Sequence, residues 1–190
     1  MSHVFDLEPG FLELYERCRA STMTSIERMY ALYTATRHVA NARVPGDFVE
    51  CGVWRGGSVM LMALTLLGAG AADRTLWLYD TFSGMTPPSD DDVQAMSGRS
   101  AAEILAVHEK TPGDPFWGVA ARPDVEENIR STGYPSDRVR IVGRRPSDDS
   151  CSRSLADRAA ADRYGLVCVD KARARAPVPS PLQRRRAHHR

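Results

Sequence analysis

The fold is decided by the stretch Gly46-Asp47-Phe48-Val49-Glu50-Cys51-Gly52-Val53-Trp54-Arg55-Gly56-Gly57-Ser58. It predicts a short strand that ends in an acid, then a glycine turn, then the start of a helix. Residues 58–67 are apolar nearly all round, so this helix should be buried against a sheet. A second strand is predicted over residues 75–80, and it again ends in an acid. A β-α-β unit of this kind implies parallel strands joined by a right-handed crossover, so we predict an α/β fold.

Outward from this unit, the chain divides into three segments. Residues 1–45 form an N-terminal helical segment, with helices predicted over 10–21 and 24–42. Residues 46–170 form a cofactor-binding domain, with further helices over 101–110 and 124–132, further strands over 139–142 and 166–170, and a loop over 83–99. Residues 171–190 form a basic tail with no periodic element.

Composition and charge exclude several classes of function. The 190 residues are 43% hydrophobic and 26% charged, as in an ordinary globular domain. No apolar run is long enough to cross a bilayer and no signal peptide is evident, so we expect a cytoplasmic protein without a membrane partner. Residues 171–190 carry seven Lys/Arg and no acid, which leaves the first 170 residues at −6 and gives no reason to expect nucleic-acid binding. The four cysteines contain no C-x-x-C pair, which argues against a zinc or redox motif.

Three predicted strands end in acids, namely Glu50, Asp80 and Asp170. Ligands of open parallel sheets bind beyond the carboxyl ends of the strands, so these acids mark a candidate site. An acid at the end of the second strand is well placed to accept hydrogen bonds from ribose hydroxyls. The glycine pattern is Gly52-x-x-x-Gly56-Gly57 rather than G-x-G-x-x-G, and an acid before it would repel a pyrophosphate. The pattern therefore favours a cationic ligand such as S-adenosylmethionine, while a dinucleotide, or a tight turn with no ligand, remains open.

Several motifs resemble the macrocin O-methyltransferase family. They are Thr24-Ser25-Ile26-Glu27-Arg28-Met29-Tyr30, the run Glu50-Cys51-Gly52-Val53-Trp54-Arg55-Gly56-Gly57, Tyr79-Asp80-Thr81-Phe82-Ser83-Gly84-Met85, and Asp124-Val125-Glu126-Glu127-Asn128-Ile129-Arg130 leading to Arg138-Val139-Arg140-Ile141-Val142. The resemblance covers about residues 20–143, with a weaker match over 155–170.

The resemblance implies a Rossmann-like class I methyltransferase sheet that uses S-adenosylmethionine, and usually Mg²⁺, to methylate a sugar hydroxyl of a macrolide-like or related antibiotic. A small glycosylated molecule would then be the substrate. By resemblance, Glu50, Gly52 and Ser58 line the methionine end of the cofactor and Asp80 holds its ribose. Asp170 matches the first acid of a D-x-D pattern, which supplies one metal ligand and a general base.

The tail departs from the family pattern after Asp170. The family continues with a second acid and with a later strand that ends in two more acids, whereas residues 171–190 contain none. The family pattern E-L-E-H-L-Y-P, written in GC-rich codons and read from the third base, gives Ala-Arg-Ala-Pro-Val-Pro, which is residues 174–179. The family pattern G-G-V-L-I-I-D, written in GC-rich codons after a C and read in the shifted frame, gives Arg-Arg-Arg-Ala-His-His-Arg, which is residues 184–190. We therefore interpret the tail as frameshifted.

A frameshifted tail has two consequences. The sheet would be incomplete at the C-terminus, and the apolar surface so exposed would favour a homo-oligomer. The metal site would also be incomplete, so the chain as written is expected to be inactive. The alternatives are a non-catalytic nucleotide-binding or interaction protein and an NAD-dependent oxidoreductase.

Overall fold

The structure, a computed structural model, describes residues 7–94, 97–112, 114, 116–143 and 167–170. The helices are α1 (Pro9–Cys18), α2 (Ile26–Asn41), α3 (Gly57–Gly68), α4 (Ala101–Leu105) and α5 (Arg122–Arg130). The strands are β1 (Phe48–Cys51), β2 (Leu76–Asp80), β3 (Val139–Gly143) and β4 (Val167–Asp170), and short 3₁₀ turns cover Arg19–Ser21 and Ser136–Arg138.

The four strands form one parallel sheet in the order β3-β2-β1-β4. The chain runs outward from β1 to β2 to β3 and then returns to the other side of β1, which is how the Rossmann strand order 3-2-1-4-5-6 begins. The predicted α/β class and the Rossmann-like sheet are therefore confirmed. The order reverses between β1 and β4, and at such a point the connections leave a crevice beyond the strand ends.

Helix α3 is the centre of the core. Its residues from Gly57 to Leu66 are all buried, as the continuous apolar pattern predicted. One side of it packs with α5 and the sheet in a cluster that includes Phe48, Leu78 and Val125. The other side packs with α1 and α2 in a second cluster. Burial of a helix on all sides requires covering layers on both sides, and here the sheet and the N-terminal helices provide them.

The N-terminal helices are held to each other by a charged contact as well as by apolar packing. The Glu8 carboxylate, just before α1, accepts hydrogen bonds at 2.5 and 3.0 Å from the Arg37 guanidinium on α2. The hydroxyls of Tyr30 and Tyr33 also donate to this carboxylate. The Arg37 hydrogen bonds hold the pKa of Glu8 below its ordinary value of 4.5. The contact is half-exposed, so the aromatic packing of Phe11 against both tyrosines is the larger stabilising contribution.

Two predicted helices are shorter than expected. The first ends at Cys18 and continues only as a 3₁₀ turn, and α4 ends at Leu105 rather than residue 110. Beyond α4, the His108 imidazole lies 3.2 Å from the Asp114 carboxylate and stacks on Phe116. These contacts require the chain to turn back, so tertiary pairing overrides the local helical pattern there.

The remaining segments of the chain bear on two of the predictions. The proposed tail, residues 171–190, lies outside the described residues, as do residues 144–166. Among the helices of the described part, none has the length and apolar character required to cross a membrane.

Candidate cofactor site at the carboxyl ends of the strands

The strand register places the three predicted acids at one edge of the sheet. Glu50 is level with Leu78 of β2 and Val169 of β4, and Cys51 is level with Tyr79 and Asp170. Asp80 follows Tyr79 directly, so the acids end three adjacent strands. Glu50 is completely buried. The side chain of Asp170 lies outside the described part, so the structure places only its backbone.

The turn between β1 and α3 uses three left-handed residues. Gly52 and Gly56 have φ angles of 79° and 86°, a region that glycine enters without steric cost. Trp54, between them, has a φ of 50°. A bulky residue in this region is strained and persists only where surrounding contacts hold it. The two glycines adopt this backbone path without strain, whereas contacts with other residues must hold Trp54 in it.

The carboxylate of Asp80 supplies the contacts that hold this turn. Its Oδ2 accepts hydrogen bonds from the backbone amides of Val53 at 2.6 Å and Trp54 at 2.9 Å. Its Oδ1 accepts from the amide of Phe82 at 2.8 Å. Phe82 is also left-handed, with a φ of 55°. Asp80 therefore bonds the amides of two left-handed residues, Trp54 in the glycine turn and Phe82 after β2, and joins the end of β2 to the glycine turn.

A cleft of about 220 Å³ opens beside the turn. Gly52 and Ser58, both predicted from the sequence, line it together with Val53, Trp54 and Gly57. The opposite wall comes from the segment between α1 and α2 and the first turns of α2, namely Ser21, Thr22, Met23, Thr24 and Arg28. The structure thus brings an N-terminal wall to the glycine turn.

Gly57 sets how closely the two walls approach. A Cβ atom built on Gly57 would lie 2.6 Å from the carbonyl oxygen of Ser21 and 2.7 Å from the Cβ of Thr22. No side chain can occupy that space without displacing backbone. The glycine at this position therefore allows the start of α3 to lie directly against residues 21–22.

Sequence reasoning did not assign the N-terminal wall to the site. Ser21, Thr22 and Arg28 lie on or beside helices and carry no local pattern that points to a cleft. Only Arg28 lies within the Thr24–Tyr30 motif of the resemblance, which marks the start of α2 and by itself indicates no cleft. Asn128 was also missed: its Nδ2 donates at 2.9 Å to the Arg55 carbonyl and ties α5 to the glycine turn.

Metal binding has no support among the described side chains, which contain no group of three or more histidine, cysteine or acidic residues able to hold an ion. The adjacent acids Asp90, Asp91 and Asp92 are exposed, as expected for a solvated loop. Asp92 accepts hydrogen bonds from the backbone amide and the hydroxyl of Ser89, which lower its pKa.

Comparison with known proteins identifies the family. Residues 16–142 match the Macrocin-O-methyltransferase (TylF) family, a span that contains both walls of the cleft and the ends of β1 and β2. The chain belongs to the macrocin O-methyltransferase family. The resemblance predicted from the sequence is thereby confirmed.

Three curated relatives of this macrocin O-methyltransferase family member are O-methyltransferases. Demethyldecarbamoylnovobiocin O-methyltransferase of Streptomyces niveus is 36% identical over 65% of this chain and 43% of its own length. The 8-demethyl-8-(2,3-dimethoxy-alpha-L-rhamnosyl)-tetracenomycin-C 4'-O-methyltransferase of Streptomyces olivaceus is 34% identical over 72% of this chain and 49% of its own length. Mycinamicin III 3''-O-methyltransferase of Micromonospora griseorubida is 37% identical over 38% of this chain and 29% of its own length. The matched region therefore spans less than half of each relative.

The solved structure of the O-methyltransferase NovP is also similar to this chain. It is 30% identical and has a TM-score of 0.49, covering 69% of this chain and 52% of that one.

Proposed function

We propose that the chain is by descent an S-adenosylmethionine-dependent O-methyltransferase, of the kind that acts on a sugar hydroxyl of a macrolide-like or related secondary metabolite. The observation that carries the proposal is the cleft between residues 21–28 and the glycine turn, which lies wholly inside the segment matched to the family. Its small glycosylated substrate is proposed from the names of the relatives.

The charges around the cleft suit the cofactor. S-adenosylmethionine carries a sulfonium, an ammonium and a carboxylate. Arg28 lines the cleft and is exposed, so its guanidinium is available to a carboxylate. Glu50 and Asp80 end the neighbouring strands and favour the two positive groups and the ribose hydroxyls. Glu50 and Asp80 lie beside the cleft and do not line it, whereas Gly52 and Ser58 line it and would contact the methionine chain.

The same geometry argues against the oxidoreductase alternative. Dinucleotide sites place a pyrophosphate on the backbone amides of the glycine turn. Here the amides of Val53 and Trp54 already donate to the Asp80 carboxylate. A pyrophosphate would have to displace the Asp80 carboxylate from these two amides, and the two negative charges would then repel each other.

The non-catalytic alternative is favoured by one feature of the sequence. Methyl transfer forms a bond from the acceptor oxygen to the methyl carbon, breaks the carbon–sulfur bond and releases the hydroxyl proton to a base. By resemblance Asp170 would be that base and would hold a Mg²⁺ ion that polarises the hydroxyl, but residues 171–190 contain no acid to complete such a site. We propose that the chain as written binds the cofactor and transfers methyl groups poorly or not at all.

Calorimetry on the full chain tests cofactor binding. S-adenosylhomocysteine should bind and NADH should not. Arg28→Ala should weaken S-adenosylhomocysteine roughly tenfold or more, the effect of losing a hydrogen bond between charged groups, and leave 5′-methylthioadenosine, which lacks the carboxylate, unchanged. Arg140→Ala on β3 is the matched control, since it removes the same charge from an exposed position. Binding of NADH without S-adenosylhomocysteine would refute the proposal, and an equal loss for both adenosine ligands would refute the role of Arg28.

A further inference from the structure

We propose that Asp80 determines which nucleosides the site accepts: its carboxylate is a built-in anion that occupies the amide donors of the glycine turn and excludes ligands with a 5′-phosphate. The inference rests on the proposed function, since it concerns the same adenosine site. It goes beyond a hydrogen bond from Asp80 to ribose by giving the carboxylate a second partner and a selective effect.

The hydrogen bonds to Asp80 carry the first step. A carboxylate has about four acceptor positions, and the amides of Val53, Trp54 and Phe82 use three of them. Both positions on Oδ2 are directed at the turn. One position on Oδ1 is left for a ribose hydroxyl among the described residues. Asp80 can therefore bond the turn and a ribose at the same time.

The second step concerns the path of a bound nucleoside. Gly52 directly follows β1 and Asp80 is the last residue of the neighbouring strand β2, and the Gly52 amide donates to the Tyr79 carbonyl at 2.8 Å. Because the glycine turn and the end of β2 lie side by side, a nucleoside whose ribose lies at Asp80 can extend its 5′ substituent over the turn. A thioether or sulfonium there meets a negative surface and needs no amide donors. A phosphate there meets the Asp80 carboxylate and finds the amides of Val53 and Trp54 already bonded.

Backbone strain supports the same reading. The amides of Trp54 and Phe82 belong to left-handed, non-glycine residues, and both point to Asp80. Strained backbone persists where contacts over-determine it. The arrangement holds the two amides on an internal carboxylate rather than presenting them to a phosphate.

The test compares two adenosine ligands that differ only at the 5′ position, 5′-methylthioadenosine and AMP, by calorimetry on the full chain. The wild type should bind 5′-methylthioadenosine more tightly by roughly tenfold or more, the effect of one charge-assisted hydrogen bond lost and a repulsion gained. Asp80→Ala frees the amides and removes the charge, so this ratio should fall roughly tenfold even as ribose binding weakens. Asp73→Ala is the matched control, because Asp73 is exposed before the opposite end of β2 and its loss changes net charge equally.

The outcomes separate the inference from the proposed function. If wild type binds AMP as tightly as 5′-methylthioadenosine, or if Asp80→Ala weakens both ligands equally, the inference is wrong while the adenosine site stands. If wild type binds neither ligand nor S-adenosylhomocysteine, both the inference and the proposed function are wrong. Should circular dichroism show that Asp80→Ala is unfolded, Asp80→Asn serves instead, because it keeps one acceptor oxygen and loses the charge. An unchanged ligand ratio in that variant would overturn the inference.

Discussion

The contact between Gly57 and the N-terminal segment gives the sharpest stability prediction. In Gly57→Ala the new Cβ would lie 2.6 Å from the Ser21 carbonyl oxygen, whereas ordinary contact begins near 3.4 Å. Residues 21–22 would therefore have to move by about 0.8 Å, the difference between those distances. Overpacking of this kind costs roughly 1–3 kcal/mol, and the better helix propensity of alanine returns at most about 1 kcal/mol.

We expect a net loss of about 1–2 kcal/mol in the free energy of unfolding, seen as a fall of roughly 0.5–1 M in the urea midpoint. Because Ser21 and Thr22 line the cleft, affinity for S-adenosylhomocysteine should also fall, by roughly tenfold. Urea unfolding followed by circular dichroism measures the first effect, and calorimetry measures the second.

Gly68→Ala is the matched control, because Gly68 ends the same helix and a Cβ built there meets nothing within 4 Å. That variant should be neutral or slightly more stable than wild type. If Gly57→Ala and Gly68→Ala have the same urea midpoint and the same affinity, residues 21–22 do not lie against α3 as described.

Three further predictions test other contacts. Asn128→Ala removes the hydrogen bond to the Arg55 carbonyl and should cost about 0.5–1.5 kcal/mol in urea unfolding, and a variant as stable as wild type would show that this tie does not hold the turn. The Arg37 hydrogen bonds lower the folded-state pKa of Glu8, so its contribution to stability is fully present above the ordinary value of 4.5 and is lost as the pH falls through the lower folded-state pKa. Wild type should therefore exceed Glu8→Gln in stability at pH 7, and a gap that did not narrow as the pH was lowered below 4.5 would contradict the assignment. Restoring a reading frame after Asp170 that supplies acids should raise methyl transfer to a sugar hydroxyl by roughly 10²–10⁴-fold, and Asp170→Asn should then abolish it; family-like turnover by the 190-residue chain would refute the frameshift interpretation.

The sequence predicted the sheet because its signals there are local. The pattern consists of two apolar strands that end in acids, with a glycine turn and an apolar helix between them. Few arrangements other than a parallel β-α-β unit are compatible with it. Helix α3 was predicted to be buried on all sides for the same reason, and it is. The positions of Glu50, Gly52 and Asp80 at the strand ends followed from the same pattern.

The partners of these residues were decided only by the tertiary structure. Asp80 was predicted as a ribose acceptor, but its bonds to Val53 and Trp54 join residues 27 and 26 positions apart, and the bond to Trp54 depends on a left-handed backbone that no propensity indicates. The wall from Ser21 to Arg28 reaches the cleft because α1 and α2 pack on α3. The end of the sheet that holds the site can be predicted from the sequence, because the acids and glycines that mark it directly follow the strand patterns along the chain. Which side chains close that site depends on contacts between segments far apart in the chain, and those contacts form only when the core has packed.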